Sequence, residues 1–347
     1  MIRLIIRKEE IKGEMKKIGF WFVVLMLFAA SELRAQQEVQ FTQYIFNTLS
    51  VNPAYAGYKD QWFAQLALRN QWDGLDGAPK TGQFSIDGIV SPYTRNVGLG
   101  LQINSEKIGP ETSLSVYLNQ AYRIRLNEED TQRLSFGIGV GLLQYGLDGS
   151  KFRPVDETDA ALSLGNESVW KWNLRLGVYY YSPKWYAGVS LMNVLDKEDT
   201  YLFNSEDANY NIYHRKHLYF ITGYLFDLND SFKLRPSLML KEDFKGTTSV
   251  DINGMLIFNE RFWFGASYRT GVDIWKNDYT DYTPVKTSKT NAISGIVQFY
   301  ATNNFRIGYS YDYMLNNLSS VENGTHELTL GYTFPKRGNR LLSPRFF

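Results

Sequence analysis

The residue types that most often carry chemistry are sparse in this chain of 347 residues, and their spacing suits none of the usual sites. Its three histidines are His214, His217 and His326, the first two at the end of a long link and the third opening a strand pattern. That is no zinc-ligand spacing. Gly137, Gly139 and Gly141 resemble a phosphate-cradling loop, yet they alternate with Ile138, Val140 and Leu142, so they read as the small-residue face of a strand. No G-x-S-x-G elbow occurs. Cysteine is absent, which removes thiol catalysis, thiolate metal ligands and a disulfide framework. Asn323-Gly324-Thr325 fits a glycosylation sequon but reads more simply as a turn before a strand. The expectation is a protein with no catalytic, cofactor-binding or metal-binding site, and so no enzyme.

What the chain has in quantity is aromatic side chains: 24 Tyr, 22 Phe and 8 Trp, 16% of all residues. A mean hydropathy of −0.31 and one short apolar run exclude a polytopic helical membrane protein. From residue 61 onward, apolar residues recur with the strand period of two rather than the helical 3.6. In the first such segment Trp62, Ala64, Leu66, Leu68, Asn70 and Trp72 share one face; Phe63, Gln65, Ala67, Arg69, Gln71 and Asp73 share the other. Trp62 and Trp72 would stand about 33 Å apart along a strand, or about 23 to 25 Å along the membrane normal at a tilt near 45°. That matches the apolar band of an outer-membrane barrel with an aromatic girdle at each edge.

Alternation of this kind predicts fourteen strands, at about 61–72, 82–90, 95–104, 112–126, 132–145, 171–181, 185–195, 217–227, 232–241, 248–258, 261–271, 290–300, 304–313 and 325–334. An even count suits a closed barrel. Links after strands 4, 6, 8, 10 and 12 are short, and those after strands 5, 7, 11 and 13 are long, at roughly 146–170, 196–216, 272–289 and 314–324. Short periplasmic turns and long extracellular loops sort in this way. A soluble two-sheet sandwich would also alternate, but has no reason to sort its links. The expected fold is all-β, a transmembrane antiparallel β-barrel over residues 61–334 with both termini on the periplasmic side.

In this register the inward face carries Arg69, Arg123, Arg125, Arg175, Lys233, Arg235, Lys241, Arg269 and Arg306, set against Asp87, Asp251, Asp312 and Glu327. Such a lining either selects anions in an open lumen or forms hydrogen bonds across the interior that hold the wall rigid.

Lys16 and Lys17 precede an apolar run from Ile18 to Ala30 that ends in Leu33-Arg34-Ala35, which reads as a signal peptide over residues 1–35, with Met15 an alternative initiator. Its removal leaves 30 basic and 32 acidic residues, a balance with no attraction for nucleic acid. Residues 36–60 follow, and 335–347 form a C-terminal tail. Phe41, Tyr44, Ile45 and Leu49 fall at near-helical spacing before Asn52-Pro53, where a helix must stop or kink. A short amphipathic turn there either plugs the barrel mouth or docks a periplasmic partner. Its candidate residues are Gln40, Phe41, Tyr44, Phe46, Asn47, Asn52, Pro53, Ala54, Tyr55 and Gly57.

The stretch from Gln40 to Asn47, Gln-Phe-Thr-Gln-Tyr-Ile-Phe-Asn, and the stretch from Asn52 to Gly57, Asn-Pro-Ala-Tyr-Ala-Gly, resemble the opening of the PorP/SprF family of type IX secretion outer-membrane proteins. So does the run from Gln71 to Thr81, whose motif residues are Asp76, Gly77, Ala78, Pro79, Lys80 and Thr81. Val97-Gly98-Leu99-Gly100, Glu106-Lys107-Ile108-Gly109-Pro110, the run from Gly308 to Tyr313 and that from His326 to Tyr332 are similar to the same family. Ile45 and Thr48 stand where the family more often has Met and Pro. The resemblance runs from about residue 38 to 334 and is thin between 146 and 290. It implies a Bacteroidota outer-membrane component of the secretion and gliding machinery. Its partners would be outer-membrane lipid, the periplasmic ring and a secreted cell-surface cargo that it helps to export or attach. A passive porin or hydrophobic-substrate transporter is the alternative.

Overall fold

The computed structural model describes residues 40–151, 166–195, 216–244, 248–272, 274 and 291–335. The expected signal peptide, His214 and most of the long links after the fifth, seventh and eleventh strands lie outside these residues. From residue 63 the chain forms one antiparallel sheet closed on itself. Its strands are β1 Phe63–Asn70, β2 Lys80–Ile89, β3 Val97–Ile108, β4 Glu111–Arg125, β5 Arg133–Asp148, β6 Asn166–Tyr181 and β7 Trp185–Met192. They continue as β8 His217–Tyr224, β9 Phe232–Glu242, β10 Thr248–Phe258, β11 Phe262–Val272, β12 Ala292–Tyr300, β13 Phe305–Met314 and β14 Thr325–Thr333. β8 breaks at Leu225 and resumes over Phe226–Asp227, both pieces pairing with β9. Each strand pairs with the next, and β14 pairs with β1 from Phe63↔Thr333 to Asn70↔His326, which closes a barrel of fourteen strands.

Alternation sets the two faces as expected. Leu118 is 60% exposed and Tyr117 fully buried, and the same contrast separates Phe136, Ile138 and Val140 from Ser135 beside them. Outward residues are apolar because they meet lipid; inward ones are polar because they meet one another. Gln65 is buried on the inner side, where its Oε1 accepts a 2.7 Å bond from Arg306.

Several expectations change. Trp72 lies two residues beyond the end of β1 in a left-handed conformation (φ 52°), so it cannot close the upper girdle from within that strand. Arg125, expected inward, is exposed at the last position of β4, where the wall ends. Lys233 is at the rim, its ammonium 2.7 Å from Glu260. β5 and β6 climb to Asp148 and Asn166, so the link between them is shorter than the expected 146–170. On that same long-link end the connections after β3, Gly109-Pro110, and after β9, 243–247, are short. The short link after β9 therefore separates the long links after β5 and β7 from those after β11 and β13.

Depth along one outward row gives a direct test of the membrane position. Leu118→Arg should lower barrel stability by about 2 to 4 kcal/mol in a urea refolding titration in lipid vesicles, and Thr112→Arg, on the same face at the outer end of β4, by about 0 to 1 kcal/mol. Equal losses would place the lipid band elsewhere.

Candidate functional site: the filled interior

Residues 40–60 precede the first strand and lie inside the barrel. Tyr44–Phe46, Thr48–Ser50 and Pro53–Tyr55 are three short 3₁₀ turns in place of the single amphipathic turn expected. Asn52-Pro53 does interrupt the path, and it also starts the third turn: the Asn52 side chain accepts from the Ala54 nitrogen at 2.9 Å with Pro53 in the first position. Phe41, Tyr44, Ile45, Phe46, Leu49, Ala54, Tyr55 and Tyr58 are all buried. A segment buried on every side has no exposed face for a period to mark.

The segment starts near the long-link end and descends to the short-link end. At the top, Arg69 of β1 lies between Asp312 of β13 and Glu327 of β14, 2.8 Å from each. The Thr42 and Gln43 backbone amides donate to the two oxygens of Glu327 at 2.8 and 3.0 Å, and the Thr42 hydroxyl donates to Asp312 at 2.6 Å. Arg69 also donates to that hydroxyl at 3.0 Å. One guanidinium, two carboxylates and the segment thus form a single knot astride the seam where the barrel closes.

Lower down, glycines on the inner wall let backbone meet backbone. An ideal Cβ at Gly137 would stand 2.1 Å from the Ala54 nitrogen, and one at Gly98 would stand 1.9 Å from the Ala56 oxygen. At Gly177 it would meet the Asn52 side chain at 2.1 Å. Only glycine admits the segment at these three places. The glycines first noticed as the small face of a strand are in part this seat; Gly139 and Gly141 instead make room for Asn119 and Tyr117. Polar groups then fix it: Asn52 donates to the Val178 carbonyl at 3.0 Å, Ser135 to the Ala54 carbonyl at 2.7 Å, and Ser190 to that of Val51. Gln83 donates to Asn47 at 2.8 Å, Asn253 to the Tyr44 hydroxyl at 2.9 Å, and the Gly57 amide to Asp87 at 2.9 Å.

Aromatic rings pack what polar bonds leave. Tyr55 stacks on Tyr58 with centroids 4.8 Å apart, Tyr58 meets Tyr181 edge-on at 4.7 Å, and Phe46 meets Trp263 edge-on at 5.4 Å. Arg235 faces Trp263 at 5.8 Å and donates to the Ile45 carbonyl at 3.4 Å. Arg175 lies 3.3 Å over Tyr117, and Arg269 pairs with Asp251 at 2.6 Å. At the foot, Arg123 binds Asp60 at 2.7 Å, and Arg95 and Arg133 join through Asp130. Beside Phe41 and Arg175 a polar cavity of about 50 Å³ remains, room for one or two waters.

Of the inward charges read from the sequence, Arg69, Asp312 and Glu327 form the upper knot, Arg123 the foot, and Arg175, Arg235 and Arg269 line the wall between. Gln40 is only half-buried, at the start of the described chain. Sequence reasoning missed Arg133 and Asp60. Arg133 shares the period-two face of Ser135 and Gly137, so the pattern held the signal; Asp60 precedes the first strand and had none. The motif from Asp76 to Thr81 is split: Asp76, Gly77 and Lys80 are exposed at the outer end, whereas Pro79 and Thr81 are buried. Gly77 takes a positive φ of 75°, and its carbonyl accepts from Gly109 at 2.8 Å. Asp73 and Asn323 exchange the strand ladder for loop contacts: Asp73 donates to Gly324 and Asn323 to Asp73, at 2.8 and 2.7 Å. The β1–β2, β3–β4 and β13–β14 links are thereby tied into one cap.

A closed antiparallel wall, apolar outside and polar within, whose interior holds the chain's own leading segment, defines an integral outer-membrane β-barrel. A sequence model of the type IX secretion system membrane protein PorP/SprF matches residues 33–332. The chain belongs to that family. No curated protein sequence gives a match. Among solved structures it is similar to the CymD monoaromatic hydrocarbon channel, at 11% identity and a TM-score of 0.51, covering 90% of this chain and 99% of that one. It is also similar to a Pseudomonas aeruginosa FadL homologue, at 10% identity and TM-score 0.47 over 88% and 100% of the two chains. For the Acinetobacter baumannii outer membrane protein Omp33 the values are 11% and 0.44, over 80% and 100%. The first of these likenesses concerns the fold alone.

Both the knot and the glycine seat are testable. Arg69→Met leaves two buried carboxylates facing each other and should cost about 3 to 5 kcal/mol, much of it recovered in Arg69→Met/Asp312→Asn/Glu327→Gln. Gly137→Val should leave the strands paired but expel the segment, read as rapid trypsin cleavage after Lys59 in the variant and resistance in the parent protein.

Proposed function

We propose that this barrel is the outer-membrane component of the type IX secretion and gliding machinery that assists export or surface attachment of one specific cargo protein. The observation that carries this reading is the interior: residues 40–60 fill it through ion pairs, backbone bonds and ring packing spread over both halves of the wall. A barrel so filled is a platform with two ends rather than a conduit. Cargo would be met at the outer end, by the cap from Asp76 to Thr81 and the links after β5, β7 and β11. The periplasmic ring would be met at the short-link end, where Arg95 and Asp130 are partly exposed over the buried Asp60, Arg123 and Arg133 to which they are paired.

The second reading, a passive porin or hydrophobic-substrate transporter, draws on the fold likeness to a hydrocarbon channel. A hydrophobic solute, however, would meet the Arg69 and Arg123 networks along its path. The two readings separate in one pair of measurements. The parent protein should show no steady single-channel conductance in planar bilayers, and deletion of residues 40–58 should open one if the strands still close, as judged by heat-modifiable migration. In cells, surface cargo measured by protease accessibility should fall by about tenfold or more in the Asp60→Ala/Asp130→Ala variant with the barrel intact. Normal cargo display, together with steady conductance of the parent protein, would remove the secretion reading.

A further inference from the structure

The outer surface near the long-link end carries an arrangement that contact with bulk lipid does not explain. On the lipid-facing side, Tyr309, Leu328, Leu68, Gly82 and Ser105 form one cross-strand row over β13, β14, β1, β2 and β3. One step nearer the outer end runs a second row of His326, Asn70, Lys80 and Lys107. In the first row, Gly82 and Ser105 interrupt bulky neighbours, which leaves a groove of about 520 Å³ along the wall. In the second, Lys80 and Lys107 are direct cross-strand partners, both exposed, and among the described residues neither meets a carboxylate. Like charges placed directly opposite destabilise a sheet. Lys151 adds a third ammonium beside Lys107, and among the described residues Asp148 is the carboxylate that acts on both, 3.8 Å from Lys151. His326 is held on the far side by a 2.6 Å contact between its Nδ1 and the Tyr309 hydroxyl.

We propose that this face is a specific site for a phosphorylated, acylated glycolipid of the outer leaflet. One acyl chain would lie in the gap over Gly82 against Leu68 and Leu328, and a phosphate would sit between Lys80 and Lys107. The two halves of the argument are independent. A small-residue gap in a lipid-facing row takes a chain, and a cross-strand ammonium pair directly above it, with no ion-paired carboxylate among the described residues, takes an anion. The opposed lysines are then explained, because a bridging phosphate turns their repulsion into attraction.

The test uses the full-length protein, purified in detergent and examined by native mass spectrometry with added lipid A, with the same lipid after removal of its phosphates, or with inorganic phosphate. The parent protein should retain one bisphosphorylated lipid and bind the dephosphorylated form about thirtyfold more weakly, and Lys80→Gln/Lys107→Gln should lose about as much. Gly82→Leu should weaken retention by filling the groove; an ideal Cβ there stands 3.6 Å from the Leu68 side chain, an ordinary contact, so the barrel should still migrate as folded. Equal retention of both lipids, or no loss in the lysine variant, would overturn the site. So would complete competition by millimolar inorganic phosphate, which would show an anion site without a lipid. Should Gly82→Leu fail to assemble, the lysine variant and the phosphate comparison decide alone.

Discussion

A guanidinium withdrawn from water must find acceptors, and this requirement organises the molecule. Arg69, Arg123, Arg235 and Arg306 are each 5% exposed or less on the inner wall, and wall acceptors such as Asp312, Glu327, Tyr181 and Gln65 meet part of their donor set. The missing acceptors come from residues 40–60: the Thr42 hydroxyl, the Ile45 and Phe46 carbonyls and the Asp60 carboxylate. The debt is mutual. Three short turns with no partner of their own would expose backbone amides and carbonyls that the wall now satisfies. Neither the lining nor the segment is a sensible structure without the other, although no ladder hydrogen bond joins them.

The interior is also divided by depth. Toward the outer end it is ionic, with Arg69, Asp312, Glu327, Arg269 and Asp251; lower down, above the ionic foot of Asp60 and Arg123, it is tyrosine-rich, with Tyr55, Tyr58, Tyr179, Tyr181 and Tyr186 in mutual contact. Rings tolerate modest adjustment of their partners, whereas a bidentate carboxylate does not. The upper knot therefore fixes where the segment sits, and the tyrosines fill what remains.

Most of the wall was legible because a strand between lipid and a polar interior has two unlike faces, and that contrast writes itself as alternation. Leu118 beside Tyr117, or Leu68 beside Arg69, needs nothing more. Legibility failed where the contrast ends. Trp72 continues the pattern in sequence but lies past the last ladder bond; Arg125 occupies an inward position where there is no interior left. Residues 40–60 were recognised as unusual from their aromatics and from Asn52-Pro53, yet their three-turn path was not readable. The period vanishes when every side is covered, and the seat is made of glycines more than a hundred positions away in some cases. Gly137 and Gly177 look like ordinary strand glycines until the chain they accommodate is in view.

The hydrogen bonds from Thr42 and Gln43 to Glu327 join residues 285 and 284 positions apart. In kinetic terms, residues 40–60 precede every strand in the chain yet acquire their final partners last, since Glu327 is in place only when the terminal strand has paired with the first. Contacts of such long sequence separation form late and slowly. Completion of the interior is thus a report on completion of the wall. A register slip of two residues along the β14–β1 seam would move Glu327 away from Arg69 and leave the segment without its anchor, even though most of the ladder hydrogen bonds could still form. The interior so distinguishes a correctly closed barrel from one that is merely closed.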